Sequence, residues 1–306
     1  MLQRFLLLWL ILLSLLAFGW PAWFGGIPDP FRGSAAGLNA LFAVTMLAIG
    51  SLLPADEIRQ VAKRWPTVVG GTTVQYLAMP LLAYLLARLF QLEGTALIGV
   101  VVAGCVPGAM ASNVLTLIAR GNVSYSVSLT TLATLVSPLV VPAALWLFLR
   151  QWIQLDVPQM MWQLCWMVVL PVIAGHLLRR VFAVWERLAQ RFGAALANLA
   201  ILWIIAVVVA QNRDRLAQIS LSLLLALLAL NVLGFLAGYA SGRLMRLPPP
   251  MRRALVLEVG MQNAGLGTVL ATNFFGPETA LAPALYTFGC MLSGTILARL
   301  WSLGSE

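Results

Sequence analysis

ALVLEVGMQNAGLGTVLATNFFG, residues 254–276, reads as a membrane span with a polar flaw in its middle. Every position but one is apolar, small, hydroxyl or amide, and the exception is Glu258. A carboxylate at mid-membrane depth is costly, and by default it marks an ion or substrate path. The next charged residue downstream, Glu278, lies beyond the far end of the stretch. A second stretch, GCVPGAMASNVLT at 104–116, has the same character: Gly-rich and polar inside an otherwise hydrophobic segment.

The whole chain supports a membrane setting. Of 306 residues, 61% are hydrophobic and 9% charged, against roughly 25% charged in soluble domains. Mean hydropathy is +0.93. So few charges could not cover the surface of a soluble protein of this length. Apolar stretches of spanning length recur throughout. They predict ten helices, at residues 5–23, 37–54, 67–89, 94–118, 123–149, 159–178, 193–210, 219–241, 254–274 and 280–300. The expected fold class is therefore an all-α polytopic membrane protein with short connections and no soluble domain. Pro248, Pro249 and Pro250 stop any helix in the longest basic loop.

The first twenty residues, MLQRFLLLWLILLSLLAFGW, imitate a secretory leader. The run is long and aromatic-rich, and no small-x-small cleavage site follows, so it reads as the first span. The formal charge of +9 raises nucleic acid as a partner. No basic groove with interleaved aromatics supports that, and nucleic acid is set aside. Membrane lipid is the expected surround. Cys105, Cys165 and Cys290 are widely spaced in apolar runs, with neither metal-ligand nor disulfide spacing.

Charge bias orients the chain. With both termini in the cytoplasm, Arg4, Arg59, Lys63, Arg64, Arg120, Arg179, Arg180, Arg187, Arg191, Arg243, Arg246, Arg252, Arg253 and Arg299 fall inside. Only Arg32, Arg88, Arg150, Arg213 and Arg215 fall outside. That is the positive-inside pattern, and one span more or fewer would scramble it.

The two flawed stretches occupy the fourth position of each five-span half, residues 1–150 and 151–306. Five is odd, so the second half is inverted relative to the first. Interrupted segments at corresponding places in two halves are the best sequence pointer to a transporter site. Pro107 removes an amide and disfavours an unbroken fourth helix. Gly104 and Gly108 in one stretch, and Gly260, Gly265 and Gly267 in the other, allow bends. Glycine used for close helix packing is the plainer reading, but it leaves Glu258, Gln262 and Asn263 unexplained.

The polar residues at expected membrane depth are Gln75, Ser112, Asn113, Thr116, Ser124, Ser126, Ser128, Thr130, Thr131, Ser137, Glu258, Gln262, Asn263 and Thr268. These are hard oxygen donors with one carboxylate and no sulfur or imidazole cluster. Such a set suits a monovalent hard cation, because divalent ions recruit more carboxylates. Ser126 and Thr130, four apart, share a helix face. Glu258 and Gln262 are also four apart, a relation that a break near Gly260 would loosen. A lone carboxylate also suits a proton relay, so proton coupling stays open beside sodium. For Ser124, Ser128 and Thr131 the expected role is bonding to helix carbonyls. No arginine or lysine lies at mid-membrane depth. An anionic substrate would therefore rest on half-helix N-termini, Asn113, Asn263 and bound cations.

The two stretches, extended to GCVPGAMASNVLTLIARGNVSYSVSLTTLATLVSPLVVP (104–142) and LEVGMQNAGLGTVLA (257–271), resemble the bile acid:sodium symporter family. The resemblance covers essentially the whole chain. It implies ten helices in two inverted five-helix repeats, with helices 4 and 9 discontinuous and crossed. It also implies a core domain of helices 3–5 and 8–10 and a panel domain of helices 1, 2, 6 and 7. Carried over by motif, one sodium site falls on Ser112, Asn113, Ser126, Thr130 and Glu258. A second falls on Gln75, Glu258, Val259, Met261 and Gln262, with Val259 and Met261 offering backbone carbonyls. Asn263 corresponds to a substrate-facing asparagine. Met110, where relatives have threonine, and Cys290-Met291, where some have His-Asn, make the substrate contacts less polar.

The implied function is sodium-coupled symport of a small organic anion, bile-acid-like, pantoate-like or a keto acid, with about two sodium ions as coupling ions and no other cofactor. The implied setting is a bacterial inner membrane, with the chain working as a monomer. Proton-coupled or exchange transport on the same fold is the alternative, and a passive channel a more distant one. An enzyme is not expected: Cys105 has no base, and His176, the only histidine, sits beside Arg179 and Arg180 at a helix end, where capping or an interfacial role is its expected use.

Overall fold

The computed structural model describes residues 6–54, 57–216 and 218–303. Arg4, residue 5 at the start of the first expected span, and the chain termini lie outside the described residues. All regular elements among the described residues are helical. In chain order they are α1 (Leu6–Trp23), α2 (Pro30–Gly33), α3 (Leu38–Leu52), α4 (Glu57–Lys63), α5 (Trp65–Leu89) and α6 (Gly94–Cys105). Then come α7 (Ala111–Ile118), α8 (Val123–Leu149), α9 (Val157–Leu164), α10 (Leu170–Val181), α11 (Ala183–Leu188) and α12 (Ala194–Gln211). The last five are α13 (Arg213–Leu216), α14 (Leu221–Leu244), α15 (Pro249–Gly260), α16 (Ala264–Phe275) and α17 (Leu281–Leu303).

Eight of these helices or helix runs, all within the described residues, are long and apolar enough to cross a membrane. Their surfaces are apolar outward as well as inward: Leu77, Leu139, Trp162, Leu221 and Leu300 are all at least 60% exposed. Hydrocarbon, not water, is the solvent such side chains need. Two further segments of spanning length are interrupted. One is split between α6 and α7, the other between α15 and α16. Both interruptions fall inside the stretches that the sequence marks as flawed.

Several boundaries differ from the expected spans for local reasons. The runs 157–181 and 183–211 are longer than expected, and a π-helical turn sits inside each, at Cys165–Val169 and Ala189–Gly193. Such a turn adds a residue without ending the helix. The three prolines open a helix as well as closing one. Pro248 is the N-cap of α15, and Pro249 and Pro250 fill its first turn, where a missing amide costs nothing.

Close packing is carried by glycines whose missing side chains make room. A Cβ on Gly50 would lie 2.1 Å from the Val172 carbonyl oxygen, and one on Gly175 would lie 2.1 Å from that of Leu47. Those two contacts hold α3 and α10 backbone to backbone. The same reading corrects three positions expected to bend. Gly104 lies inside α6 against the Met79 carbonyl, and Gly265 and Gly267 lie inside regular α16. Only Gly108 and Gly260, of the five, sit at the breaks. Of the two uses expected of His176, capping is corrected: it is buried in α10, and neither ring nitrogen has a hydrogen-bond partner.

Candidate functional site

The two interruptions meet in the interior. Ala109 N donates to Met261 O at 2.7 Å, and Asn263 N donates to Pro107 O at 2.7 Å. This is a single antiparallel bridge, with Gly108 opposite Gln262. It answers the main problem of a broken buried helix, whose freed amides and carbonyls need partners. Each break supplies what the other lacks.

Glu258 lies one short step before this bridge, 1% exposed. Ser112 Oγ donates to its Oε2 at 2.6 Å. Thr130 Oγ1 is 2.8 Å from both carboxylate oxygens and, with one proton, donates to one at a time. Asn113 Oδ1 stands 3.4 Å from the same hydroxyl. No basic residue among the described residues pairs with Glu258. The carboxylate also presses on the first break: a Cβ on Gly108 would fall 2.1 Å from its Oε1. Glycine is required here so that the backbone can approach an acid side chain.

On the other side of the second break lie two glutamines. Gln75 Nε2 donates to Gln262 Oε1 at 3.3 Å, and Gln262 Nε2 donates to Val259 O at 2.9 Å. Gln75 Oε1 is buried with no hydrogen-bond partner. The Met261 carbonyl accepts from Ala109 and keeps a second lone pair. Ser126 is fully buried, but its hydroxyl is reached by Thr116 Oγ1 at 3.3 Å and not by Glu258. Thus Ser112, Asn113, Thr130 and Glu258 are brought together directly, as are Gln75, Val259 and Gln262. Ser126 stands one residue away through Thr130, whose hydroxyl lies 3.1 Å from the Ser126 carbonyl. Ser128 bonds the Ser124 carbonyl at 2.9 Å, the role expected of it, whereas the buried Thr131 hydroxyl has no hydrogen-bond partner.

The residues expected to face substrate separate into groups. Met110, Asn113, Thr130 and Thr131 line a narrow crevice, about 10 Å³, against Ile49 of α3, Leu53 at its C-cap and Val172 of α10. That is room for about one water molecule. Asn263 is the N-cap of α16, its Oδ1 accepting from Leu266 N at 3.1 Å. Cys290 is buried with its thiol directed to the Thr287 carbonyl, and neither it nor Met291 lines the crevice.

Three residues that the sequence did not single out complete the second break. Asn231 Nδ2 and Tyr286 Oη both donate to Gly260 O, at 2.7 and 2.8 Å. Ser293 Oγ donates to Asn231 Oδ1 at 2.5 Å. Asn231 had a signal: it is the one amide in the leucine-rich α14. Tyr286 and Ser293 had none, since both fit an ordinary interfacial helix.

Broken helices meeting mid-chain around an unpaired acid define a class, the polytopic membrane transporters. Residues 40–219 match the model of the sodium bile acid symporter family, and the chain belongs to that family. The match extends to curated proteins. The uncharacterized sodium-dependent transporter YocS of Bacillus subtilis (strain 168) is 32% identical over 295 residues, covering 96% of this chain and 90% of that protein. A probable chloroplast sodium/metabolite cotransporter of Arabidopsis thaliana is 32% identical over 84% of this chain and 65% of its own length. Sodium/bile acid cotransporter 4 of Mus musculus is 28% identical over 88% of this chain and 64% of its own length. Family membership makes this chain a transporter rather than an enzyme, with sodium as its coupling ion in place of a cofactor.

Proposed function

We propose that this protein is a sodium-coupled symporter that carries a small organic anion into the cytoplasm by alternating access. The observation that carries the reading is the environment of Glu258. It is a buried acid with no basic partner, bonded by two hydroxyls and flanked by amide oxygens. A buried charge needs a counter-charge, and the groups at hand are oxygen donors suited to sodium.

Two sodium ions share Glu258 in this reading. Ser112, Asn113, Ser126 and Thr130 hold one, and Gln75, Gln262 and the carbonyls of Val259 and Met261 hold the other. The second site fits the chain on one telling point: the buried Gln75 Oε1 lacks any donor. Its filling requires the Gln262 amide to turn from the Val259 carbonyl and present Oε1 to the ion. The neutralised carboxylate then no longer repels an anion. Asn113, Met110 and Asn263 meet the anion at the half-helix ends, with Cys290 and Met291 forming a less polar outer wall. The names of the relatives, sodium/metabolite and sodium/bile acid cotransporters, support a small carboxylate or a larger amphipathic anion as the load.

The eight long spans and two interrupted segments support ten crossings in two inverted halves, 1–150 and 151–306, with helices 4 and 9 crossed. The crevice between α3 and α10 on one side and α7 and α8 on the other supports movement of a panel of helices 1, 2, 6 and 7 against a core of helices 3–5 and 8–10. The positive-inside bias supports a bacterial inner membrane with both termini in the cytoplasm. The chain works as a monomer. Two sodium ions with a monovalent anion would move net positive charge inward, so membrane potential would assist.

The test is uptake into proteoliposomes from a mixed pool of organic anions and bile salts, with sodium and proton gradients imposed separately. Saturable, sodium-driven accumulation is expected. Accumulation driven by protons without sodium would replace this reading with proton coupling.

A further inference from the structure

A second built site lies at the opposite end of α15 from its break. A cleft of about 160 Å³ opens between the ends of α14, α15 and α17, walled by Tyr239, Val256 and Trp301 and flanked by Arg252 and Arg253. Its two guanidinium groups are held in place. The Arg252 stem lies against Gly242, where a Cβ would come within 2.9 Å of its Cγ. That places its head 5.3 Å from the Tyr239 ring centre. Arg253 donates to the Ala119 carbonyl at 2.8 Å and sits 5.9 Å from the Trp301 ring centre. Arg243 and Arg246 follow at the end of α14 and in the turn beyond. No carboxylate among the described residues pairs with any of these four arginines.

The surroundings say what kind of anion fits. Leu244, Leu300 and Leu303 beside the cleft are 85%, 60% and 75% exposed, so this rim faces lipid. Tyrosine and tryptophan at helix ends mark the headgroup level. A small hydrophilic anion would gain nothing from the apolar wall. A phosphodiester carrying acyl chains uses both parts. Basic pockets between helices on the cytoplasmic side, where the arginine bias puts this end, are suited to anionic headgroups. Glu258 does not line the cleft, and buried Leu257 stands between it and Val256 of the cleft wall, so the two anion-related sites are distinct.

We infer that this cleft is a binding site for one anionic phospholipid, its phosphate held between Arg252 and Arg253 and a chain laid along Tyr239, Val256 and Trp301. The inference does not depend on the transported anion or on sodium coupling.

The purified full chain, stripped of lipid in detergent, would be titrated with phosphatidylglycerol, phosphatidylcholine and inorganic phosphate and read by native mass spectrometry. One phosphatidylglycerol retained in preference to phosphatidylcholine is expected, undisplaced by millimolar inorganic phosphate. Arg252→Gln should weaken that retention about fivefold, since one arginine near an anionic headgroup contributes on that scale. Arg187→Gln, on an exposed residue elsewhere, should leave it unchanged. Equal retention of the two lipids overturns the inference without need of any variant. Displacement by inorganic phosphate, or full retention in a correctly folded Arg252→Gln protein, would overturn it as well. Sodium-stimulated uptake measured on the same preparations keeps failure here separate from failure of the symport reading.

Discussion

The two helix breaks face one another, yet they are completed by different means. The first, between α6 and α7, is finished by backbone alone: Pro107 and Ala109 exchange hydrogen bonds with Asn263 and Met261. The second, between α15 and α16, has the same two bonds and is braced by side chains besides. Asn231 and Tyr286 converge on Gly260 O, Gln262 turns back on Val259 O, and Asn263 caps α16. The difference follows the charge. The second break carries Glu258 and must hold it still in a medium that cannot solvate it; the first leads into the helix whose Ser112 hydroxyl meets it. Bracing is placed where movement of a buried charge would be most costly.

That comparison can be broken experimentally, beginning where the effect should be largest. Glu258→Ala should nearly abolish sodium-stimulated uptake in reconstituted vesicles, while the protein still elutes as a folded species. Full retention of sodium stimulation would remove the carboxylate from the centre of the mechanism. Gly108→Ala tests the first break. Its Cβ would land on the carboxylate, so the bridge must shift, at a cost of about 1–3 kcal/mol. Both uptake and melting temperature should fall, and an unchanged melting temperature would mean that the approach is looser than described.

Thr130→Ala removes one hydroxyl donor to Glu258. Hydrogen bonds to charged groups contribute about 1.5–3 kcal/mol, so the sodium concentration for half-maximal uptake should rise about tenfold or more. Thr130→Ser should restore it. Asn231→Ala tests the bracing, leaving Gly260 O with Tyr286 as its one side-chain donor. Interhelical hydrogen bonds in membranes contribute about 0.6–1.7 kcal/mol, which sets the expected loss of thermal stability. Thr272→Ala is the smallest change: its hydroxyl bonds only its own helix carbonyl, that of Thr268, at 2.9 Å. Stability should move by less than about 0.5 kcal/mol. A loss as large as that from Asn231→Ala would erase the distinction between bracing and local bonds.

Around the turn between α1 and α2, a different set of contacts joins the helices. Asp29 is bonded to Arg213, 2.6 Å away, and Arg213 also donates to the Ala17 carbonyl. Partial burial pushes the Asp29 carboxyl up, but the Arg213 hydrogen bond and charge, with amides of Arg32 and Phe31, hold it below its ordinary value. Stability from this contact is therefore present above the usual carboxylate range and is lost as pH falls through the lowered value.

The sequence made the interruptions legible because proline, glycine and amides are conspicuous inside hydrophobic runs. Pro107 and the Gly260–Asn263 segment marked the breaks to within a few residues. Glycines at 104, 265 and 267 read equally well as bends, because a glycine's freedom to turn and its usefulness in packing leave the same letter. Composition could not separate these uses; contact with Met79 and regular α16 hydrogen bonding did. The oxygen donors were legible as a set, but not their pairing. Ser126 and Thr130 share a helix face, yet only Thr130 reaches Glu258.

The sequence by itself determined that this chain lives in lipid, that two of its spans are broken, and that a single acid lies at one break. Each of these follows from the cost of polar groups in hydrocarbon, which is paid locally and so is written locally. Only the tertiary structure decided who satisfies whom. Ser112 and Thr130 on Glu258, Asn231 and Tyr286 on Gly260, and Gln75 on Gln262 each join residues far apart in the chain. Hydrogen bonds need distances near 3 Å and defined angles, and those are fixed by how helices pack, not by any single helix's sequence.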